Sequence, residues 1–301
     1  MGSEEQKTMH KIILSWFFTV MLFQVFAQPV EVQYDYNAMG DCIFGAYNNS
    51  KAPLFLHINF ADLENTTFGE PLPYVKRLSP GFTNLFTLLR DPDGGVPRFN
   101  YEIKVYRSDP MAKINLEFPY LIPFEEGRKV QVFDVEEIDG FWGSEGLDSW
   151  SATGFYASPG DKIFACRNGV VVEVMGARRT GDPTGWYNTW NNVITLLHPD
   201  GSLICYRNVV DAEELLEVGD QVYAGQQIGQ VANGVDNIKL LIYHESMFTE
   251  DPLFLIPEFV VNEQNQSILN STSSYVVVHP YEIRGLEMSK KEQKKILGKK
   301  R

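Results

Sequence analysis

Short stretches of apolar and polar residues that predict β-strands fill the first third of the chain. Residues 54–60 (LFLHINF) and 101–106 (YEIKVY) alternate as half-buried strands do, and residues 82–89 (FTNLFTLL) form a third, largely apolar segment. Turn-forming residues such as DPDGG at 91–95 separate them. Short strands at this spacing predict a β-sandwich-like domain over residues 28–118.

The pattern of strands and turns becomes tighter after that point. Residues 119–127 (PYLIPFEEG) are expected to be the linker that enters a second domain. Residues 162–174 predict a hairpin about an Asn-Gly turn, and residues 192–206 predict another about a Pro-Asp-Gly turn. Residues 240–243 predict a further strand. The chain is therefore expected to be all-β.

The last part of the chain predicts one more strand and a basic tail. Residues 275–279 (YVVVH) have strand character and are expected to pack back on the second domain. The second domain is assigned to residues 119–260, and the C-terminal strand and tail to residues 261–301. The tail, SKKEQKKILGKKR from residue 289, carries seven basic residues and one acidic residue. It is interpreted as a solvated terminus, or as a contact for an acidic surface at the cell envelope.

The first residues resemble an export signal. His10 and Lys11 precede an apolar run over residues 12–27, which is short for a membrane span of about 20 residues. We therefore expect a signal peptide over residues 1–27 and a periplasmic or extracellular location. An uncleaved membrane anchor is the alternative.

Charge and cysteine content narrow the classes of partner and compartment. The net charge is −13, and the basic tail makes the remainder more acidic still. Such a body repels phosphate backbones, which argues against a nucleic-acid partner.

The three cysteines, Cys42, Cys166 and Cys205, are too few for a disulfide framework. Free buried thiols are the favoured interpretation, with a Cys166–Cys205 bridge as the alternative.

Three segments of the second domain carry a family resemblance. They are GDKIFACRNGVV at 160–171, the region from Asn192 to the Pro-Asp-Gly turn followed by Tyr206, and VGDQVYAGQQIG at 218–229. In their order and spacing they resemble the LytM/lysostaphin-like zinc metallopeptidases. The resemblance implies the duplicated hybrid motif fold and a zinc-bound water that attacks a peptide bond of peptidoglycan.

The positions that match the family's zinc ligands hold other residue types. The family's H-x-x-x-D motif falls on Trp150 and Gly154, and the second His of its H-x-H motif falls on Tyr243, with Leu241 at the first. The His of its Y-x-H motif falls on Asn208. The resemblance therefore implies a degenerate member, for which neither a metal nor catalytic residues are expected.

Three functions are considered for a domain whose groove lacks the zinc-ligating side chains of the family. The first is a binding or regulatory module of the cell envelope, with peptidoglycan or a cell-wall hydrolase as partner. Its candidate binding residues are Trp150, Gly154, Tyr206, Asn208, Leu241 and Tyr243. The second is an active zinc endopeptidase that cuts peptidoglycan crosslinks with a non-standard ligand set, such as His198, His244 and Asp148. The third is a structural scaffold within a larger envelope complex.

Overall fold

The computed structural model of the protein describes residues 29–136, 149–176, 192–249 and 251–298. The predicted signal peptide lies outside these ranges. Strands dominate the described part, which bears out the all-β expectation. No helix within the described ranges is long and apolar enough to span a membrane.

The first domain is a two-layered sandwich. Its strands are β1 (Val30–Tyr36), β2 (Cys42–Asn48), β3 (Leu54–Glu64), β4 (Thr66–Thr67), β5 (Tyr74–Leu78), β6 (Gly81–Arg90) and β7 (Arg98–Tyr106). One sheet has the order β1-β2-β6-β4 and the other has the order β5-β3-β7. The three strands predicted from sequence correspond to β3, β6 and β7.

Aromatic and aliphatic side chains from both sheets fill the space between the two layers. Phe44 of β2 is fully buried, and its ring lies 4.8 Å from that of Phe86 and 5.0 Å from that of Phe99. Leu56 and Ile58 face the same core from β3. Alternate residues of each strand point inward, because the side-chain period of a strand is two.

The second domain and the segment that follows it contain the remaining strands of the described part. They are β8 (Pro119–Tyr120), β9 (Lys129–Asp134), β10 (Thr153–Tyr156), β11 (Lys162–Phe164), β12 (Gly169–Met175), β13 (Val193–Leu197), β14 (Leu203–Arg207), β15 (Val209–Val210), β16 (Gln221–Val222), β17 (Gln227–Val231), β18 (Asn237–His244), β19 (Leu253–Phe254), β20 (Glu258–Val260), β21 (Gln266–Ser267) and β22 (Ser274–Val276). Two helices follow, α1 (Tyr281–Arg284) and α2 (Lys290–Ile296).

A large antiparallel sheet forms the centre of this domain. Its strands run in the order β16-β12-β13-β14-β18-β10-β9-β22, and β19 pairs with β18. Two smaller sheets, β11-β17-β15 and β21-β20-β8, accompany it. The hairpin about Pro199-Asp200-Gly201 is confirmed as the β13–β14 pair. Gly201 has a φ of 89°, and its N–H bonds the carbonyl of His198.

The hairpin predicted about Asn168 and Gly169 is wrong. β11 pairs with β17 and β12 pairs with β13 and β16, so the two segments belong to different sheets. Between them, Cys166, Arg167 and Asn168 are buried. Arg167 ion-pairs with Asp200 and Glu287, which holds this crossover inside the domain instead of at an exposed turn.

Two segments near the domain ends also differ from expectation. Residues 119–127 are not an exposed linker, because Tyr120, Ile122 and Phe124 belong to the main core of the second domain. At the other end, β22 pairs with β9, as expected of a returning strand. The tail is not a plain coil, because its described part forms helix α2 with a capping box between Ser289 and Glu292.

Candidate functional site

The two faces of the large sheet have different neighbours. On β18, Leu241 and Tyr243 point to one face and Leu240 and Ile242 to the other, as strand alternation requires. The first face contacts the sandwich domain, because Phe55 belongs to the same buried cluster. We call this face the groove face, since it carries the two H-x-H positions of β18.

Trp150 reaches the groove face from the segment before β10. Its ring lies 4.9 Å from that of Phe254, which in turn lies 6.0 Å from the ring of Tyr243. The indole N–H donates to the carbonyl of Val135 at 2.9 Å. Trp150, Leu241 and Tyr243 therefore converge in one buried apolar cluster.

Gly154 is covered by an aromatic ring. It lies opposite Phe133 in the β10–β9 register, and a Cβ built on Gly154 would be 2.4 Å from Phe133 Cε2 and Cζ. Real Cβ atoms do not approach neighbours so closely, so glycine is required while the ring keeps this position. An aspartate at residue 154 would have to displace Phe133, whose ring also packs against that of Tyr156 with centroids 4.8 Å apart.

Tyr206 points away from the groove face. It lies in the core on the opposite side of the sheet, with its side chain fully buried. Its hydroxyl accepts a hydrogen bond from the Cys166 N–H at 2.8 Å. Burial raises the pKa of Tyr206 well above its ordinary value, so it remains a neutral phenol. Its role here is to anchor the crossover segment.

Asn208 ends β14 in a left-handed conformation with a φ of 65°. Asparagine tolerates this conformation better than most residues. Its side-chain amide donates to the backbone carbonyl and to Oδ1 of Asn237, both at 3.1 Å. The Asn208 N–H also donates to the carbonyl of Asn192 at 2.9 Å. Asn208 thus ties β14 to the start of β18.

An arginine from the first domain's C-terminal end reaches the H-x-H position. Arg107 directly follows β7, and its guanidinium donates to the Tyr243 hydroxyl at 3.1 Å. The same side chain bonds Glu245 Oε1 at 3.0 Å and Glu173 Oε2 at 3.4 Å, and its backbone N–H bonds Glu245 Oε2 at 2.6 Å. Thr195 also donates to Glu173. We call this set the arginine clasp.

Electrostatic interactions and burial in the clasp keep Arg107 protonated and Tyr243 neutral. Burial alone would lower the pKa of Arg107, but Tyr243, Glu245 and Glu173 outweigh it and raise this pKa. Burial raises the pKa of Tyr243 well above its ordinary value, although the guanidinium opposes this. The site therefore holds a permanent cation next to a neutral phenol.

Sequence reasoning did not identify Phe133 or Arg107 as part of this region. Phe133 sits on a short alternating strand, KVQVFD, whose partner cannot be read from the chain itself. Arg107 follows a strand of the other domain, and nothing in its local pattern indicates a partner on β18. Glu245 is the member of this region that the sequence could have indicated, because it matches a glutamate that often follows H-x-H in the family.

The residues at the expected ligand positions do not suit a zinc ion. Zinc in proteins is bound by imidazole, carboxylate or thiolate groups, whereas these positions offer an indole, a hydrogen atom and a neutral phenol. Within the described ranges, no group of three or more His, Cys, Asp or Glu side chains is arranged to hold a metal. Of the relocated set, Asp148 lies outside the described residues.

The two histidines of that set bond to the backbone. His198 is buried, with Nδ1 2.7 Å from the carbonyl of Asn168. Since a carbonyl can only accept, this nitrogen carries the proton. His244 places Nε2 2.9 Å from the carbonyl of Asp109 and is the strand neighbour of Tyr243. It therefore lies on the face opposite to the groove face.

A cleft of about 810 Å3 opens beyond Asn208 and is lined almost entirely by the second domain. The residues that line it include Lys51, Asn192, Val210, Asp211, Glu217 and Asn233. Lys51 of the first domain ion-pairs with Glu217 across it. Asn192 Oδ1 is buried and has no hydrogen-bond partner among the described residues. The lining thus combines apolar, amide and acidic groups.

Comparison with known proteins gives the chain structural neighbours of low identity. The solution structure of lysostaphin matches 40% of this chain and 47% of its own, at 19% identity and a TM-score of 0.28. The catalytic domain of lysostaphin from Staphylococcus simulans matches 41% and 83%, at 22% identity and 0.27. Helicobacter pylori Csd3 matches 77% and 52%, at 14% identity and 0.33.

The chain thus spans about half the length of lysostaphin and of Csd3. The curated proteins gave no significant match. The profile of Peptidase family M23 matches residues 148–247, which contain the positions described above. The second domain is therefore LytM-like and matches peptidase family M23 over residues 148–247, with other residue types at the positions where the sequence resemblance predicts the family's zinc ligands.

Proposed function

We propose that this protein is an exported, catalytically inactive M23 homologue that acts as a binding or regulatory module of the cell envelope. Its partner is peptidoglycan or a cell-wall hydrolase. The fold of the peptidase is kept, while the residues that would activate a water molecule are replaced. Export rests on the apolar segment near the N-terminus and on the family resemblance.

The arginine clasp carries this proposal. The guanidinium of Arg107 is 3.1 Å from the oxygen of Tyr243, the residue at the second H-x-H position. The same guanidinium pairs with Glu245 and Glu173, so the two carboxylates nearest to Tyr243 are already engaged in the clasp. The neutral phenol of Tyr243 does not offer the imidazole, carboxylate or thiolate group that zinc prefers. Metal-dependent hydrolysis is therefore not the chemistry this site favours.

The cleft beyond Asn208 supports a binding role. Its volume of about 810 Å3 suits a peptide segment. Amide and acidic side chains in its lining offer oxygen acceptors to which peptide N–H groups could donate. Of the candidate residues, Leu241, Tyr243 and Tyr206 are fully buried, so we place ligand contact at the cleft and not on those side chains.

The proposal is tested by separating binding from hydrolysis. The full chain is incubated with purified peptidoglycan sacculi and, in parallel, immobilised for capture of purified cell-wall amidases. We expect co-sedimentation or capture without release of soluble peptides, and a loss of binding when Asn192 is replaced by Leu. The variant Phe248→Ala changes an exposed side chain elsewhere in the domain and is the control.

Two results would overturn the proposal. Release of crosslink peptides by the purified chain would make it an endopeptidase with a non-standard site. A chain that neither sediments nor captures a hydrolase, but purifies within a stable envelope complex, would be a scaffold.

A further inference from the structure

The outer face of the sandwich domain carries an exposed aromatic pair. In the sheet β1-β2-β6-β4, the inner side chains fill the core, and the outer side chains face solvent. Tyr47 of β2 is 43% exposed and Phe82 of β6 is 48% exposed, with ring centroids 5.0 Å apart. Ile43, also 43% exposed, lies on the same face of β2. We call these three residues the platform.

The platform is held in place by the backbone below it. A Cβ built on Gly45 would be 2.6 Å from Phe82 Cε2 and Cζ, so the Phe82 ring lies directly over the glycine. Gly45 lies between Ile43 and Tyr47 on β2, and Tyr47 pairs with Phe82 in the β2–β6 register. The two rings are therefore supported from beneath and ordered before any ligand arrives.

Polar side chains border the platform on one side. In the β1–β2 register, Glu31 lies opposite Tyr47, and Gln33 lies opposite Gly45. Asp35 lies opposite Ile43, and all three of these polar residues are exposed. Neighbouring strands are about 4.8 Å apart, so each of these groups sits roughly one strand away from the apolar strip. The face thus presents rings beside a row of oxygen acceptors.

We infer that the platform is a binding site for a neutral glycan chain. The apolar C–H faces of sugar rings stack on aromatic rings, while hydroxyl and amide N–H groups of the same sugars donate to carboxylate and amide oxygens beside them. The spacing of one strand allows a single sugar to make both contacts.

Charge selects this ligand over the alternatives. Glu31 and Asp35 repel phosphate-bearing polymers and anionic lipid headgroups, which the acidic body of the chain reinforces. A second copy of the chain across a two-fold axis would bring the same carboxylates close to each other. A ligand that donates hydrogen bonds and has no negative charge is the complement of this face.

Binding is measured by isothermal titration of the full chain with chitotetraose, a soluble neutral oligosaccharide. We expect saturable binding, a loss of at least tenfold in affinity for Phe82→Ala and for Tyr47→Ala, and a smaller loss for Glu31→Gln. Phe248→Ala, which removes an 80% exposed ring in the other domain, should bind as the wild type does. Melting curves confirm that each variant folds, and Glu31→Gln changes no packing.

Absence of chitotetraose binding, or equal binding by the platform variants, would overturn the inference. The inference would also be overturned if the chain binds anionic vesicles or self-associates instead of binding the oligosaccharide, and if Phe82→Ala abolishes that interaction. The site does not depend on the function proposed for the M23 domain. Platform variants that lose oligosaccharide binding but still bind a hydrolase would show that the two sites are separate. Asn192→Leu would show the same if it loses hydrolase binding and keeps oligosaccharide binding.

Discussion

The ring of Phe133 lies over Gly154, where a Cβ would come within 2.4 Å of it. Gly154 is the residue at which the sequence resemblance predicts the family's aspartate ligand. Its lack of a side chain is thus matched by a neighbour that fills the vacated space. The glycine at the expected metal position is part of the packing of β9 against β10, and we expect the two residues to be energetically coupled.

Substitution of Gly154 by Ala is expected to destabilise the protein. The new Cβ forces the Phe133 ring off its position, and overpacking of this kind costs about 1–3 kcal/mol in the free energy of unfolding. Chemical denaturation measures the change. Gly69→Ala is the control, because a Cβ there meets no atom of the described residues within 4 Å. The double variant Phe133→Leu/Gly154→Ala should be more stable than the sum of the single changes implies, and strict additivity would contradict the coupling.

Removal of the clasp arginine should weaken the contact between the domains. Arg107→Ala leaves Glu245 and Glu173 partly buried without their cation, which we expect to cost about 2 kcal/mol in the free energy of unfolding. Tyr243→Phe should cost about 1 kcal/mol, because it removes one hydrogen bond.

The matched control for the clasp is Lys51→Ala. Its ion pair with Glu217 also joins the two domains, but both side chains are 69% exposed, so the stability should hardly change. Equal losses for Arg107→Ala and Lys51→Ala would show that burial of the clasp contributes nothing.

Stability is expected to fall in mild acid because of His198. Burial lowers the pKa of His198 to about 3, from an ordinary value of 6.5. The unfolded chain therefore binds a proton between these values while the folded chain does not, so stability is complete above pH 6.5 and declines as the pH falls toward 3. Partial burial also lowers the pKa of His279, which adds to the trend.

The test compares unfolding free energies from pH 7 to pH 4. His198→Asn should flatten the dependence on pH, since its amide can still donate to the carbonyl of Asn168 but does not titrate. A variant whose pH profile matches that of the wild type would show that His198 does not titrate on unfolding.

The three cysteines should be inert in the folded protein. Cys42, Cys166 and Cys205 are free and buried, and burial raises the pKa of the Cys166 and Cys205 thiols to about 12. Because the thiolate is the reactive form, a thiol reagent at pH 8 should label none of them within minutes. Three labels should appear after unfolding in urea. Fast labelling of the native chain, or two labels missing after unfolding, would contradict this, the second result indicating a disulfide.

The local patterns predicted individual strands well and their partners less well. β3 and β7 follow from alternation, β6 follows from a largely apolar run, and the β13–β14 hairpin follows from its Pro-Asp-Gly turn. The Asn168-Gly169 segment has the same turn signal, but the ion pairs of Arg167 with Asp200 and Glu287 hold it inside the domain. Those partners lie 33 and 120 residues away and leave no local trace.

The sequence predicted which residue types lie at the candidate site, but it did not predict the residues that surround them. Strand alternation places Leu241 and Tyr243 together and His244 on the other face. It does not show that Phe133 covers Gly154, or that Arg107 reaches Tyr243 from the other domain. It also does not show that Tyr206 of β14 lies apart from the groove face, in the core on the opposite side of the sheet. Contacts between distant segments decided each of these outcomes.

The most direct test of the central claim is the zinc content and hydrolytic activity of the same preparation. The chain is purified without chelators and analysed for metal, titrated with Zn²⁺ and incubated with purified sacculi. We expect well below one zinc per chain, no saturable zinc binding at micromolar concentration and no release of crosslink peptides. Stoichiometric zinc, with peptide release that a chelator abolishes and added zinc restores, would contradict the account.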